Sequence, residues 1–241
     1  MTESIQAVIF DLDDTLFDHY FSLQAGLTAL QKTTPNLQQQ TLDDLTSTYV
    51  DLVESLHIQV LQKQLTLDQA RIQRMQSFFL KYGRTLSVDE AQNYAEHYRG
   101  VYLAARQPVP GAIALLRHLR TRNVKTAIIT NNASLEQREK LEFCKLTPLI
   151  DVVVISEEVG VIKPDPAIFA IALKQLECNA SQAIMVGDAW NTDILGAHRA
   201  GIKSIWLNRF GARCPDPSIT TIIHALEPAS TVADILLKTN Q

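Results

Sequence analysis

Short runs of consecutive apolar residues recur along the chain, and each is followed by polar or charged residues. The first run, Ala7–Phe10, is followed directly by Asp11, and the second, Lys125–Thr130, ends in a threonine. Continuous apolar runs are typical of parallel strands that are buried on both faces, whereas half-exposed strands alternate. Three more runs of this kind lie at residues 152–155, 183–186 and 204–207. We therefore predict five strands of a parallel sheet.

Helical signals separate these runs. Ser134 followed by Gln137 has the capping-box spacing that opens a helix. Asp165 and Pro166 supply an N-cap and a proline for the first helical turn. A further helix is expected to end at Gly201, since glycine suits the position after the last helical residue. This alternation of strands and helices predicts an α/β fold with a doubly wound, Rossmann-like parallel sheet.

Residues 19–105 follow a different pattern. Apolar side chains repeat there at intervals of three and four residues, as in Leu42, Leu45, Tyr49, Leu52 and Leu56. Ser87 and Glu90 form a second capping-box pattern ahead of a similar repeat. This stretch is poor in glycine and proline compared with the rest of the chain. We predict an all-helical subdomain at 19–105, inserted into a core formed by residues 1–18 and 106–241.

Composition narrows the class of protein. The chain has 241 residues, of which 46% are hydrophobic and 20% charged, so it can bury a sizeable core. Its net charge of −4 offers no electrostatic footprint for a nucleic acid polymer. The sequence has no apolar run of about 20 residues, so we expect no membrane span. The first ten residues lack a secretion signal and the three cysteines form no CxxC pair, so we expect a cytoplasmic protein with reduced thiols.

Polar residues follow the predicted strands at positions that can share one site. Ligands bind at the carboxyl ends of parallel strands, so residues just after different strands converge there. Asp11 and Asp13 follow the first strand and are only two residues apart. The other candidates at strand ends or in the following loops are Thr130, Asn131, Lys163, Asp188 and Asp193.

This set of residues suits phosphoryl transfer. Several carboxylates at one sheet edge repel one another, and a hard cation such as Mg²⁺ relieves that repulsion. Lys163 adds a fixed positive charge, while the Thr130 hydroxyl and nearby backbone N–H groups suit phosphate oxygens. In such reactions positioning and charge neutralisation do most of the catalysis. An aspartate can itself be the nucleophile and form an aspartyl-phosphate.

The motifs together resemble those of the haloacid dehalogenase superfamily. The matching elements, in order, are Asp11-x-Asp13-x-Thr15, Thr130-Asn131, Lys163-Pro164 and Gly187-Asp188-x₄-Asp193. The resemblance covers nearly the whole chain. The helical insert between the first two motifs resembles the cap of the superfamily's first cap class.

The resemblance implies roles for the acidic residues. Asp11 is expected to be the nucleophile and a Mg²⁺ ligand. Asp13 is expected to be the general acid and base, with its backbone carbonyl on the metal and its pKa raised by crowding or burial. Asp188 is expected to be the third metal ligand. Asp193 is expected to support the metal ligands without being one of them, either through water or by orienting Lys163.

The resemblance also implies a phosphoryl-binding set. Thr130 and Lys163 are expected to bind the transferring phosphoryl group, with the backbone N–H of Asn131 beside them. Thr15 is expected to stabilise the turn around Asp13, although a catalytic role stays open.

The type of reaction is narrowed by Asp13. Dehalogenases of the superfamily lack an aspartate at this position, because their reaction does not need an acid to protonate an alkoxide. Asp13 therefore favours a phosphatase for small phosphomonoesters. A phosphomutase and a non-catalytic protein that binds a phosphorylated ligand remain alternatives.

The substrate is less defined by the sequence. Residues 155–169 are similar to the same stretch in pyrimidine 5′-nucleotidases, and more loosely in sugar-phosphate phosphatases. The expected partner is thus a small phosphorylated metabolite, either a nucleoside 5′-monophosphate or a sugar phosphate. In the predicted cap, Arg71 is a candidate ligand for the substrate. Both a monomer and a homodimer stay open.

Overall fold

Six parallel strands form one sheet in the computed structural model, which describes residues 4–238. The strands are β1 (Ala7–Phe10), β2 (Lys125–Thr130), β3 (Val152–Ile155), β4 (Ala183–Gly187), β5 (Lys203–Leu207) and β6 (Thr220–Ile223). Their order across the sheet is β3-β2-β1-β4-β5-β6. This order reverses direction at β1, as expected of a doubly wound sheet, and the predicted fold class is confirmed.

Strand β1 lies at the centre of the sheet. Ala7 is aligned with Lys125 of β2 on one side and with Ala183 of β4 on the other. All four residues of β1 are buried, which explains why the run is apolar throughout.

The sixth strand was not predicted. Strand β6 is at the edge of the sheet and pairs only with β5 among the described strands. Three of its four residues, including Thr220 and Thr221, keep some exposure to solvent. An edge strand of this kind does not need the continuous apolar run by which the other strands were identified.

Eleven helices accompany the sheet within residues 4–238. They are α1 (His19–Thr33), α2 (Pro35–Gln38), α3 (Leu42–Leu61), α4 (Leu67–Lys81), α5 (Val88–Ala104), α6 (Ala112–Thr121), α7 (Ser134–Phe143), α8 (Ser156–Val159), α9 (Pro166–Leu176), α10 (Leu195–Arg199) and α11 (Ala229–Lys238). None of the helices in this part of the chain is long and apolar enough to cross a membrane.

The chain divides into two compact units. The sheet unit runs up to Asp18 and resumes at Gln107, and the helical unit is His19–Arg106. Arg106, which we assigned to the core, falls in the helical unit, where its Nε donates to the carbonyl oxygen of Leu103 at 2.9 Å. Residues 1–3 and 239–241 of the predicted core lie outside the described residues.

The helical unit contains helices α1 to α5. Its core is largely aromatic: Tyr49 of α3 packs edge-to-face on Phe78 of α4, and its ring lies 4.8 Å from that of Tyr98 in α5. The capping box expected at Ser87 and Glu90 is present at the start of α5. The pattern of apolar residues thus identified helices α3 and α5 correctly.

One of the helix starts in the sheet unit differs from the prediction. The capping box expected at the start of α7 is absent, because Ser134 is already the first helical residue and its hydroxyl donates to Glu158 instead. The helix expected before Gly201 begins as a π-helical turn, Trp190–Ile194, and continues as α10. At the start of α9, by contrast, Asp165 is the N-cap, as predicted.

Candidate active site

Asp11 is the first residue after the central strand β1. Its backbone N–H donates to the carbonyl oxygen of Val186 in β4 at 2.9 Å, which extends the sheet pairing by one residue. The residue is only 7% exposed. Asp11 is therefore a buried carboxylate at the carboxyl end of the sheet, where α/β proteins bind their ligands.

Two further aspartates come from the end of the neighbouring strand β4. Asp188 follows this strand directly, and Asp193 lies in the π-helical turn after it. Carboxylate oxygens of Asp11, Asp188 and Asp193 lie within 4.8 Å of one another. Three carboxylates at this separation repel one another strongly, so the cluster needs positive charge.

Lys163 supplies one positive charge to this cluster. Its Nζ lies 2.5 Å from Oδ1 of Asp11 and 2.6 Å from Oδ1 of Asp193, and the side chain is 3% exposed. The second oxygen of Asp193 accepts from the backbone N–H of Ala189 at 3.0 Å. Both oxygens of Asp193 thus have donors, and its carboxylate holds Lys163 against Asp11.

The pKa values of these groups reflect burial and crowding. Burial raises the pKa of Asp11 to about 7, with a further increase from Asp193, while Lys163 opposes the shift. Burial, and then the charges of Asp11 and Asp193, raise the pKa of Asp188 well above its usual value. For Lys163, burial lowers the pKa, but the two carboxylates outweigh this effect and raise it. The positive charge of Lys163 therefore does not neutralise the negative charge of the three clustered carboxylates.

A divalent cation fits the donor set. Hard cations such as Mg²⁺ prefer carboxylate oxygens, and one or two carboxylates with water and phosphate oxygens usually complete the site. Because both oxygens of Asp193 have donors, the carboxylates of Asp11 and Asp188 are the better candidates for ligands. The metal-ligand roles expected for Asp11, Asp188 and the carbonyl oxygen of Asp13 stay predictions.

Thr15 and Trp206 hold Asp188 in place. The hydroxyl of Thr15 donates to Oδ1 of Asp188 at 3.2 Å, so Thr15 connects the turn after β1 to the acidic cluster. The indole N–H of Trp206 in β5 donates to the carbonyl oxygen of Asp188 at 2.7 Å. The contribution of Trp206 was not predicted, because only the sheet order brings β5 beside β4.

Thr130 and Asn131 lie at the end of β2. The Asn131 side chain accepts from the backbone N–H of Lys163 at 2.8 Å and donates to the carbonyl oxygen of Lys163 at 2.9 Å. These two hydrogen bonds fix the loop that carries Lys163. The expected phosphoryl-binding roles of the Asn131 backbone N–H and of Thr130 stay predictions.

Asp13 lies apart from the three clustered carboxylates. Gln137 Nε2 donates to Oδ2 of Asp13 at 2.8 Å, and Lys140 Nζ lies 2.6 Å from its Oδ1. Sequence reasoning missed Lys140, which looks like an ordinary helical lysine. It interpreted Gln137 as part of a cap, and no signal in the sequence pointed to its contact with Asp13.

Arg71 lies on α4 of the helical unit. Its Nη1 forms an ion pair with Asp68 one turn earlier, at 2.7 Å. Such pairs on a helix surface contribute only a few tenths of a kcal/mol. The role of Arg71 as a substrate ligand stays a prediction.

Substitution of Lys163 by methionine is expected to lower turnover by about 10²-fold, the usual effect of removing a donor to developing negative charge. It also leaves two buried carboxylates without their cation, so the melting temperature should fall. The double variant Lys163→Met/Asp193→Asn, which removes one of these negative charges, should regain stability without regaining activity. Steady-state kinetics and thermal unfolding of both variants test this. Turnover of Lys163→Met at the wild-type rate would contradict a role for the Lys163 charge in the reaction.

Substitution of Gly187 by alanine is expected to lower turnover roughly tenfold, because small displacements of reacting groups are costly. A methyl group at this position lies about 2.5 Å from the carboxyl carbon of Asp193 and pushes that side chain away. Gly100→Ala is the matched control, since no atom of the described residues beyond its own stretch of helix lies within 4 Å of its new methyl group. Equal turnover of the two variants in a steady-state assay counts against a role for this close contact.

The chain is similar to known proteins over most of its length. Residues 5–201 match the family model of hydrolases described as haloacid dehalogenase-like hydrolase. The pyrimidine 5′-nucleotidase YjjG of Escherichia coli K12 is 35% identical over 231 residues, which cover 91% of this chain and 95% of the relative. The glyceraldehyde 3-phosphate phosphatase of Methanothermobacter thermautotrophicus is 28% identical over 216 residues, which cover 85% and 86%.

Solved structures share the fold over nearly the full chain. The magnesium-bound HAD hydrolase YfnB of Bacillus subtilis has a TM-score of 0.75 at 22% identity, covering 97% of this chain and 99% of that one. The 2-haloacid dehalogenase of Pseudomonas syringae pv. Tomato DC3000 has a TM-score of 0.58 at 27% identity, covering 96% and 99%. With most of its length matched by the family model and by a relative of 35% identity, the chain belongs to the haloacid dehalogenase-like hydrolases.

Proposed function

We propose that the chain is a Mg²⁺-dependent phosphatase that hydrolyses small phosphomonoesters through an aspartyl-phosphate on Asp11. One observation carries this proposal: the Asp11 carboxylate lies buried at the end of β1, 2.5 Å from Lys163 and beside Asp188 and Asp193. A carboxylate held next to fixed positive charge is suited to attack phosphorus, because the charge on the phosphoryl oxygens is neutralised there.

The first half of the reaction transfers the phosphoryl group to the protein. A carboxylate oxygen of Asp11 attacks phosphorus, and the bond between phosphorus and the substrate oxygen breaks. Asp13 gives its proton to the departing oxygen, which leaves as an alcohol. Lys163 and the Thr130 hydroxyl bind the phosphoryl oxygens. Bound Mg²⁺ supplies further positive charge to those oxygens.

The second half returns the protein to its starting state. Asp13, now a carboxylate, takes a proton from water as the water oxygen attacks the phosphorus of the aspartyl-phosphate. The bond between phosphorus and the Asp11 oxygen breaks, and inorganic phosphate leaves. The same side chain thus serves as acid and then as base.

Asp13 also distinguishes this proposal from dehalogenation. Displacement of a halide needs no proton, so the acid at this position has no role in that reaction. A phosphomutase uses the same two aspartates, and it differs only in the acceptor of the phosphoryl group.

For the substrate class we favour nucleoside 5′-monophosphates, with sugar phosphates as the second candidate. The support is the 35% identity to a pyrimidine 5′-nucleotidase over nearly the full length of both chains. The relative that acts on glyceraldehyde 3-phosphate supports the second class at 28% identity.

A screen for phosphate release with Mg²⁺ present tests the proposal. Pyrimidine and purine 5′-monophosphates, sugar phosphates and an aryl phosphate are compared, with 2-chloropropionate as the test for halide release. We expect stoichiometric phosphate release, highest with nucleoside 5′-monophosphates. Isomerised substrate without free phosphate supports a phosphomutase, and halide release supports a dehalogenase. Thermal stabilisation by a ligand that is never turned over supports a binding protein.

A further inference from the structure

Helix α7 brings two hydrogen-bond donors to the carboxylate of Asp13. Gln137 Nε2 lies 2.8 Å from Oδ2, and Lys140 Nζ lies 2.6 Å from Oδ1. The two donors are three residues apart, so they project from the same face of the helix. Each oxygen of the Asp13 carboxylate therefore has its own donor, and both donors come from one rigid element.

The amide of Gln137 also contacts Thr130. Its Nε2 lies 2.7 Å from the Thr130 hydroxyl oxygen, so the two N–H groups of the amide serve Asp13 and Thr130. Because the hydroxyl of Thr130 accepts this hydrogen bond, its own proton is directed to another acceptor. In the proposed reaction that acceptor is a phosphoryl oxygen. One side chain thus sets the position of the acid and base relative to the phosphoryl group.

The stability of the fold does not by itself explain why a glutamine is buried at position 137. Its side chain is fully buried, and its Oε1 has no hydrogen-bond partner among residues 4–238. A buried polar atom without a partner destabilises the folded state, because it has lost its hydrogen bonds to water. Rotating the amide by half a turn would replace the donor to Asp13 by Oε1, which the Asp13 carboxylate repels. The arrangement keeps an amide donor at this position at the expense of one unpaired oxygen.

Lys140 is held from two sides. Its side chain is 7% exposed, and its Nζ lies 5.1 Å from the centre of the Phe17 ring as well as beside Asp13. An ammonium group over an aromatic ring is stabilised by the ring's electron density. Phe17 is itself fixed, because its carbonyl oxygen accepts from the backbone N–H of Asp14 at 2.7 Å. Lys140 is therefore a fixed donor and not a mobile surface charge.

We propose that Gln137 and Lys140 are positioning residues that hold the Asp13 carboxylate for the second half of the reaction, in which it takes a proton from water. This inference rests on the proposed function. Both side chains donate, so the form that they hold is the carboxylate, which is the form that acts as a base. Proton transfer requires the water oxygen within hydrogen-bond distance of the carboxylate, and a freely rotating side chain meets this requirement less often.

The two half-reactions can be measured separately with a substrate whose leaving group needs no proton. With 2,4-dinitrophenyl phosphate the leaving group needs no proton, so transfer of the phosphoryl group to Asp11 does not depend on Asp13. Hydrolysis of the aspartyl-phosphate still needs the base. Loss of Lys140 should therefore slow the second half-reaction and leave the first unchanged. Loss of Gln137, which also contacts Thr130, should slow the second half-reaction more than the first.

Rapid-mixing kinetics with 2,4-dinitrophenyl phosphate and Mg²⁺ test this in Gln137→Met and Lys140→Met. In Lys140→Met we expect a burst of dinitrophenolate with the wild-type rate constant, followed by a steady-state rate about tenfold lower, a smaller loss than the roughly 10²–10⁴-fold that acid–base catalysis itself contributes. In Gln137→Met, which also removes the donor to Thr130, the steady-state rate should fall more than the burst. In the steady state, the acid-quenched enzyme should carry more hydroxylamine-sensitive phosphate than the wild type. Lys140→Arg keeps a charged donor and should restore much of the steady-state rate.

Gln175→Met and Lys174→Met are the matched controls. Both residues are exposed on α9, so these variants should behave as the wild type in both phases. Thermal unfolding of each variant shows whether it is folded at the assay temperature. If Lys140→Met does not fold, the burst and steady-state rates of Gln137→Met and Lys140→Arg are compared with those of the wild type instead.

Equal slowing of the burst and the steady state in the folded variants overturns the inference, and so does an unchanged steady-state rate. Wild-type protein that releases no dinitrophenolate overturns the proposed function, and this inference falls with it. The behaviour of the wild type thus distinguishes failure of the proposed function from failure of the positioning role alone.

Discussion

Replacement of Asp11 by asparagine is expected to abolish phosphate release, with a loss of at least about 10⁴-fold, as is usual when a nucleophile is removed. An amide has no nucleophilic oxygen of comparable strength, so no phosphoryl group is transferred to the protein. The substitution keeps the shape of the side chain, and Lys163 keeps its ion pair with Asp193 at 2.6 Å. The variant should therefore fold, and its loss of activity should reflect chemistry.

The measurement is phosphate release from an aryl phosphate, together with the amount of phosphate bound covalently after acid quenching. Asp165→Asn is the matched control, because asparagine serves as well as aspartate at the N-cap of α9. Intact-mass analysis of Asp11→Asn excludes conversion of the asparagine back to aspartate. Activity near the wild-type level in a verified sample rules out Asp11 as the nucleophile.

Removal of divalent cations is expected to lower phosphate release by about 10³-fold, since a metal ion supplies several kcal/mol of charge stabilisation in such reactions. Without the ion, the carboxylates of Asp11 and Asp188 depend on the positive charge of Lys163, which lies 2.5 Å from Asp11. Treatment with EDTA should cause this loss, and addition of excess Mg²⁺ should restore the activity. Activity that is unaffected by EDTA is evidence against a metal-dependent reaction.

Thermal unfolding gives a readout of the metal site that does not depend on activity. Mg²⁺ should raise the melting temperature of the wild type, because it relieves repulsion between the carboxylates. Asp188→Asn should lose most of this increase. Its own stability without Mg²⁺ should equal or exceed that of the wild type, since one crowded charge is gone.

The stabilisation by Mg²⁺ should also depend on pH. Burial raises the pKa of Asp11 to about 7 in the metal-free protein. A raised carboxyl pKa means that the folded state binds a proton more tightly than the unfolded state, so stability is lost as pH rises from about 4 towards 7. Protons compete with the metal over the same interval. The increase in melting temperature caused by Mg²⁺ should therefore grow as pH rises towards 7.

Much of the fold follows from local patterns. Strands inside a parallel sheet are buried on both faces where helices cover the sheet, and this burial accounts for the continuous apolar runs of β1, β2 and β4. The edge strand β6 was missed because it is partly exposed and has no such run. The capping box expected at Ser134 was also wrong. The hydroxyl of Ser134 donates to Glu158 of α8, a contact that the local sequence pattern does not contain.

In the candidate active site, too, some contacts follow from local sequence patterns and others depend on tertiary packing. Asp11, Lys163, Asp188 and Asp193 could be predicted to converge, because each belongs to a strand end or to the loop that follows, and parallel strands end at one edge. Gln137 and Lys140 could not, because their contacts with Asp13 depend on how α7 packs beside the turn after β1.

The sequence by itself determined the class of fold, the residues that meet at the carboxyl end of the sheet, and the family, because strand burial and motif spacing are local along the chain. Only the tertiary structure decided which charges pair with which. It placed Lys163 between Asp11 and Asp193, and it gave Asp13 its own lysine. Pairing energies depend on distances of a few ångström between residues that are 30 to 152 positions apart, and the order of residues does not specify such distances.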